Sequence, residues 1–176
     1  MPQISTLGWF HTAMGAFALI CGVYTLYRNK EILLSNRSGL LYVIATLITA
    51  ATALAIFQRG TFGPGHALAI LTLGALALGT MAAKTTVFGK WSRYVQAIMY
   101  SATLLFHMIP AITDGLLRLP VGAPVLSSIE SPVLKVCYAV FLALYLLGIS
   151  AQIRRISRST IQWPARPIAA PARARR

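Results

Sequence analysis

Five apolar stretches dominate this sequence, approximately Leu7–Tyr27, Gly39–Phe57, His66–Ala83, Tyr94–Thr113 and Val133–Ala151. Each approaches the roughly 20 helical residues that cross a bilayer. Backbone polar groups inside lipid must be satisfied within the segment, so only helices or closed barrels qualify. The runs lack the alternation of barrel strands. The expected fold is therefore an all-α transmembrane bundle with five spans. Breakers separate them: Asn29-Lys30-Glu31, Arg59-Gly60 through Gly63-Pro64-Gly65, Lys90 to Arg93, and a longer piece with Pro120, Pro124 and Pro132. Ser131-Pro132 suits the start of the fifth helix.

Composition supports the same conclusion. Of 176 residues, 57% are apolar and 11% charged, with a mean hydropathy of +0.69. Soluble domains carry roughly 25% charged residues, so a soluble enzyme, a disordered chain and a secreted disulfide scaffold are excluded. Cys21 and Cys137 fall at different depths, which predicts two unbridged thiols.

The net charge of +13 acquires its meaning from its distribution. Arg28, Lys30 and Arg37 lie between spans one and two, and Lys84, Lys90 and Arg93 between three and four. Arg154, Arg155, Arg158, Arg166, Arg173, Arg175 and Arg176 follow span five. Thirteen of the 16 cations thus fall on one side. The positive-inside rule predicts an outside N-terminus, a cytoplasmic C-terminus and residence in a bacterial cytoplasmic membrane. Residues 1–151 form the transmembrane domain in this reading. Residues 152–176 form a basic cytoplasmic tail, partly disordered, starting as a short helix on the inner leaflet. Arg154, Arg155, Arg158 and Trp163 are its expected contacts with anionic lipid head groups. Nucleic acid is not the expected partner, since no aromatic-basic folding module accompanies the arginines. A membrane-protein partner or a homo-oligomer stays open.

Ionisable residues within spans are functional candidates by default. His11, His66 and His107 all fall in the outer half, with Asp114 at the outer end of span four. His11, Gly15, Ala18 and Gly22 share a helical face, and small residues mark close approach between membrane helices. His11 is therefore expected to face inward. Tyr42, Thr46, Thr49 and Ala53 form a mildly polar stripe on span two. Ala75, Gly79 and Ala83 form a small-residue stripe on span three. Tyr100, Thr103, His107 and Asp114 share a face of span four, where Pro110 removes one backbone donor. Span five is expected to attach peripherally through Tyr138, Phe141 and Tyr145. Residues 115–131, with Leu116, Leu117, Leu119, Val121 and Val125, are expected to form a partial lid.

Three uses of the histidines remain open. His11 and His107 suit the two axial ligands of haem b, with His66 nearer a propionate or a quinone, which points to electron transfer. All three with Asp114 suit a transition metal. Alternatively, each hydrogen-bonds a neighbouring hydroxyl or carbonyl and holds helices in register, as in a non-catalytic membrane component: an assembly partner, small channel or solute-binding protein. Hydrolysis finds little support. Asp114 and Glu130 are the outer carboxylates, and no Ser or Cys stands in a nucleophile motif. No internal similarity marks an inverted-repeat transporter.

His11 in a Gly/Ala-rich first helix, Arg37-Ser38-Gly39 opening the second and Gly60-Thr61-Phe62-Gly63-Pro64-Gly65-His66-Ala67-Leu68 opening the third carry a resemblance. Over roughly residues 7–110 the chain resembles bacterial predicted inner-membrane proteins grouped as a domain of unknown function. Asn36 stands where that family often has a second histidine. The resemblance implies a small inner-membrane helical bundle, carries over only His11, Arg37 and His66, and supplies no activity.

Overall fold

The computed structural model describes residues 5–56, 61–120 and 122–161. Among these the chain forms five long α-helices and no strand: α1 (Thr6–Asn29), α2 (Arg37–Leu54), α3 (Pro64–Lys84), α4 (Ser92–Arg118) and α5 (Pro132–Ile161), with a 3-10 turn at Gly89–Trp91 before α4. All five are long and apolar enough to cross a membrane.

The helix boundaries follow local chemistry. Ser5 caps α1 by accepting the Gly8 N–H at 3.1 Å. Lys30 ends it in a left-handed conformation (φ 63°), its N–H bonded to the Leu26 carbonyl. Gly63 and His66 cap α3 with Pro64 in its first turn, and Pro132 opens α5 as its spacing predicts.

Cross-helix contacts fix the arrangement. Gly22 meets Tyr42 while His11 meets Thr49, so α1 and α2 are antiparallel. Tyr42 meets Thr103 and Thr46 meets His107, so α2 and α4 run parallel. α2 also packs on α3, and α3 on α4. α1 touches α4 through Gly22 against Leu104, and the connection just past α1 touches it through Glu31–Arg93. α1 to α4 therefore close into a four-helix core. α5 packs chiefly on α4, through Tyr138 and Tyr145 as expected, and with Ile149 and Ile156 on Ala97.

Inside and outside are inverted relative to a water-soluble bundle. Ala18, Tyr42, Thr46, Tyr100 and Thr103 are fully buried, whereas Ile20, Val23, Leu47, Leu71 and Leu147 face outward. Such a surface is costly in water and natural in lipid. Small residues let the helices close. A Cβ at Gly22 would stand 2.8 Å from Tyr42 Cε2, and one at Gly79 2.6 Å from Tyr100 Cε1.

Three expectations change in detail. On α3 the small-residue stripe turns inward at Ala82, and Ala83 is exposed. α4 continues through Pro110 to Arg118, so Leu116 and Leu117 are helical and the loop beyond is shorter than residues 115–131. That loop folds back on α4, with the Leu126 N–H bonded to the Leu116 carbonyl at 2.9 Å. Val121 lies outside the described residues. Finally, α5 runs unbroken to Ile161 instead of starting a separate surface helix at 152. The reason is tertiary: Ile156 is 1% exposed and packs with Ile153 beside Ala97, which extends the α4–α5 seam past residue 152. Trp163 and the arginines after it lie outside the described residues.

Candidate functional site

One end of the bundle carries the starts of α1, α3 and α5 and the ends of α2 and α4; all three histidines lie toward it. The opposite end carries the cation-rich loops and the C-terminal part of α5.

α2 is the hub of the histidine end. Its inward stripe is Tyr42, Thr46 and Thr49, each at most 5% exposed. His11 of α1 places Nδ1 3.0 Å from the Thr49 carbonyl oxygen and 3.1 Å from Thr52 Oγ1. A carbonyl only accepts, so Nδ1 carries the proton and the neutral ring keeps its lone pair on Nε2. His107 of α4 reaches α2 one turn away, with Nε2 3.2 Å from Thr46 Oγ1. Thr46 and Thr49 are three residues apart, a rise of about 4.5 Å, so the two imidazoles meet α2 at neighbouring levels. His11 and His107 thus come together on the polar stripe of the second helix, one from the adjacent α1 and the other from α4 across the core.

The seam continues toward the other end. The Thr103 hydroxyl donates to the Tyr100 carbonyl at 2.8 Å, and the Tyr42 hydroxyl donates to Thr103 Oγ1 at 2.6 Å. Tyr100 and Thr80 pair their hydroxyls at 2.9 Å, joining α4 to α3. Each buried polar group here has a partner on a different helix or one turn back, which keeps burial affordable in a dry interior.

His66 stands apart from this pair, whereas Asp114 lies near enough for its charge to act on His11 but bonds elsewhere. The Gly63 N–H donates to His66 Nδ1 at 3.2 Å within the α3 cap, and the ring stacks on Phe62 with centroids 5.2 Å apart. Asp114 is exposed and accepts from Arg118 Nε at 3.1 Å, one turn along α4. Among the described residues no group of three or more His, Cys, Asp or Glu side chains is placed to hold a metal ion. Cys21 and Cys137 are unbridged.

The carboxylate at the centre of the opposite end is one that sequence reasoning treated only as part of a helix breaker. Glu31, just past α1, is 2% exposed. Arg93 clasps it with two parallel hydrogen bonds, Nε to Oε2 at 3.0 Å and Nη2 to Oε1 at 2.8 Å. Arg93 Nη1 also donates to Ser159 Oγ of α5 at 3.1 Å, and Gln96 Nε2 to the Ile32 carbonyl at 3.0 Å. Two residues of the first two turns of α4 thereby hold the α1–α2 connection, and one of them reaches α5. A usable signal was present: Glu31 is the one acid among the cations of that end, and such a carboxylate finds a partner.

Arg154, Arg155 and Arg158 line an open recess of about 540 Å³ on this end of α5 with Ala151 and Ser159. A second groove, about 240 Å³ and mostly apolar, lies higher between α1, α4 and α5.

Fold and surface together define a multi-pass helical membrane protein. No protein-family model, curated protein or solved structure matches the chain.

Proposed function

We propose that this is a non-catalytic component of the bacterial cytoplasmic membrane, its N-terminus outside and its basic end in the cytoplasm, in which His11 and His107 fasten α1 and α4 to α2. One observation carries the reading: each imidazole gives a ring nitrogen to an α2 threonine, His11 to the Thr49 carbonyl and His107 to the Thr46 hydroxyl. Imidazoles used in this way hold helix register in a medium where an unsatisfied polar group is expensive. The distribution of the cations supports the orientation.

A second reading rests on the His11 tautomer. A ring whose Nδ1–H is spent on a carbonyl presents Nε2 as a base or ligand, which suits haem b or the hydroxyl of a quinol in the outer half.

One purification tests both. Protein from haem-replete cells is expected to be colourless in mild detergent, and His11→Ala and His107→Ala to unfold at lower temperature than the parent. A Soret band that disappears in both variants overturns the first reading in favour of haem. Quinone titration that alters the spectrum only when His11 is intact overturns it in favour of quinone.

A further inference from the structure

The chain has three acidic side chains, and the structure spends all of them: Glu31 on Arg93, Asp114 on Arg118, Glu130 on Lys135. No side-chain carboxylate is left for Arg154, Arg155 and Arg158, which crowd three like charges into little more than one turn of α5. Like charges one turn apart repel, so this end of α5 calls for an anion from outside the chain. An arginine cluster suits phosphate, which it binds in forked pairs.

The apolar groove supplies the second half of the argument. It is bounded by Leu26 of α1, Leu105 of α4 and Leu144 and Gly148 of α5. Of its polar members, Ser101 and Gln152 pair with one another at 3.1 Å, which leaves Tyr145 as the other polar side chain along an otherwise apolar lining. At 100° per residue, Leu144, Gly148 and Arg155 lie on one stripe of α5. Arg155 is then about 10 Å along the axis from Gly148. A hydrocarbon slot thus leads along one helix face to a cationic recess, separated as an acyl chain is from its phosphate.

We infer that the groove between α1, α4 and α5 and the Arg154, Arg155 and Arg158 recess bind one anionic phospholipid, an acyl chain in the groove and the phosphate at the arginines. The site rests on the membrane reading, but neither on the orientation nor on the role of the histidines. Its failure is therefore separable from theirs.

The test is native mass spectrometry of the full-length protein released from micelles containing equal amounts of phosphatidylglycerol and phosphatidylcholine. The expected result is one retained phosphatidylglycerol, preferred over phosphatidylcholine roughly tenfold or more, as several basic residues near a phosphate allow. Arg154→Gln/Arg155→Gln/Arg158→Gln removes exposed charges and is expected to abolish the preference. Gly148→Leu fills the slot, where an added Cβ meets nothing within 4 Å, and is expected to remove the adduct with the arginines intact. Lys84→Gln, at the end of α3 away from α5, is expected to leave it unchanged. Equal retention of the two lipids by the parent overturns the site. So does undiminished phosphatidylglycerol in Gly148→Leu, or a loss in Lys84→Gln as large as in the arginine variant. Should Gly148→Leu not fold, the arginine variant against Lys84→Gln still decides.

Discussion

Replacing Arg93 with alanine tests whether the basic end is held by the Glu31 clasp. The Glu31 side chain is 3% exposed and that of Arg93 46%, so the pair is buried on one side only. Removing one partner of a fully buried pair costs about 3–5 kcal/mol, and exposed pairs contribute about 0–1 kcal/mol. With the carboxylate enclosed and two forked hydrogen bonds lost, Arg93→Ala is expected to cost about 2–3 kcal/mol. Glu31→Gln keeps an oxygen for Arg93 and is expected to cost less, about 1–2 kcal/mol. Once the charge at Glu31 is gone, losing Arg93 strands a neutral amide in place of a buried carboxylate, a smaller cost. The double variant should therefore fall short of the sum by about 1–2 kcal/mol. Equilibrium unfolding in mixed micelles of rising dodecyl sulfate fraction, followed by tryptophan fluorescence, measures all four proteins. An Arg93→Ala cost below about 0.5 kcal/mol, the range of ordinary surface changes, would refute the clasp, as would strict additivity.

Three further outcomes follow from the packing. Tyr42→Phe deletes the donor to Thr103 but leaves Thr103 bonded to the Tyr100 carbonyl; the same titration should read a loss of about 1 kcal/mol. Gly79→Ala drives a Cβ into the Tyr100 ring, which must swing off Thr80. A cost of about 1–3 kcal/mol is expected, whereas Gly74→Ala on the same helix, with open space around it, should cost nothing. Gly39→Ala sets a Cβ against the Leu33 carbonyl oxygen, a backbone atom with no rotamer to escape through. This variant should fail to give a monodisperse peak in size-exclusion chromatography, and a parental profile would show that the α1–α2 connection yields.

The helices and their inward faces were legible because bilayer thickness sets a length and close packing sets a residue size. The stripe from His11 to Gly22 and the one from Tyr42 to Thr49 needed nothing more than helical periodicity. The partners on those stripes were not legible. That α2 receives both histidines depends on α4 facing α2 across the core at the right level, which the order of the helices along the chain does not dictate. Glu31 was missed because its neighbours Asn29 and Lys30 make it look like a solvated turn; Arg93, 62 residues away, encloses it. The length of α5 was underestimated because polarity rises after Ala151, and polarity alone cannot reveal that Ile156 has α4 to pack against.

The attachment of α5 chiefly to α4 has a consequence for how the protein is made. Chain synthesis delivers α1 to α4 before α5 exists, and every contact that closes the four-helix core lies within that earlier stretch. The core can therefore be complete in the bilayer while α5 is still emerging from the ribosome. Ser159, which meets Arg93 near the end of α5, is then among the last residues to join. In this sequence of events the fifth helix docks onto a finished surface. A chain ending at Ser131 should accordingly insert and resist proteolysis, and its rapid digestion would show instead that the core waits for α5.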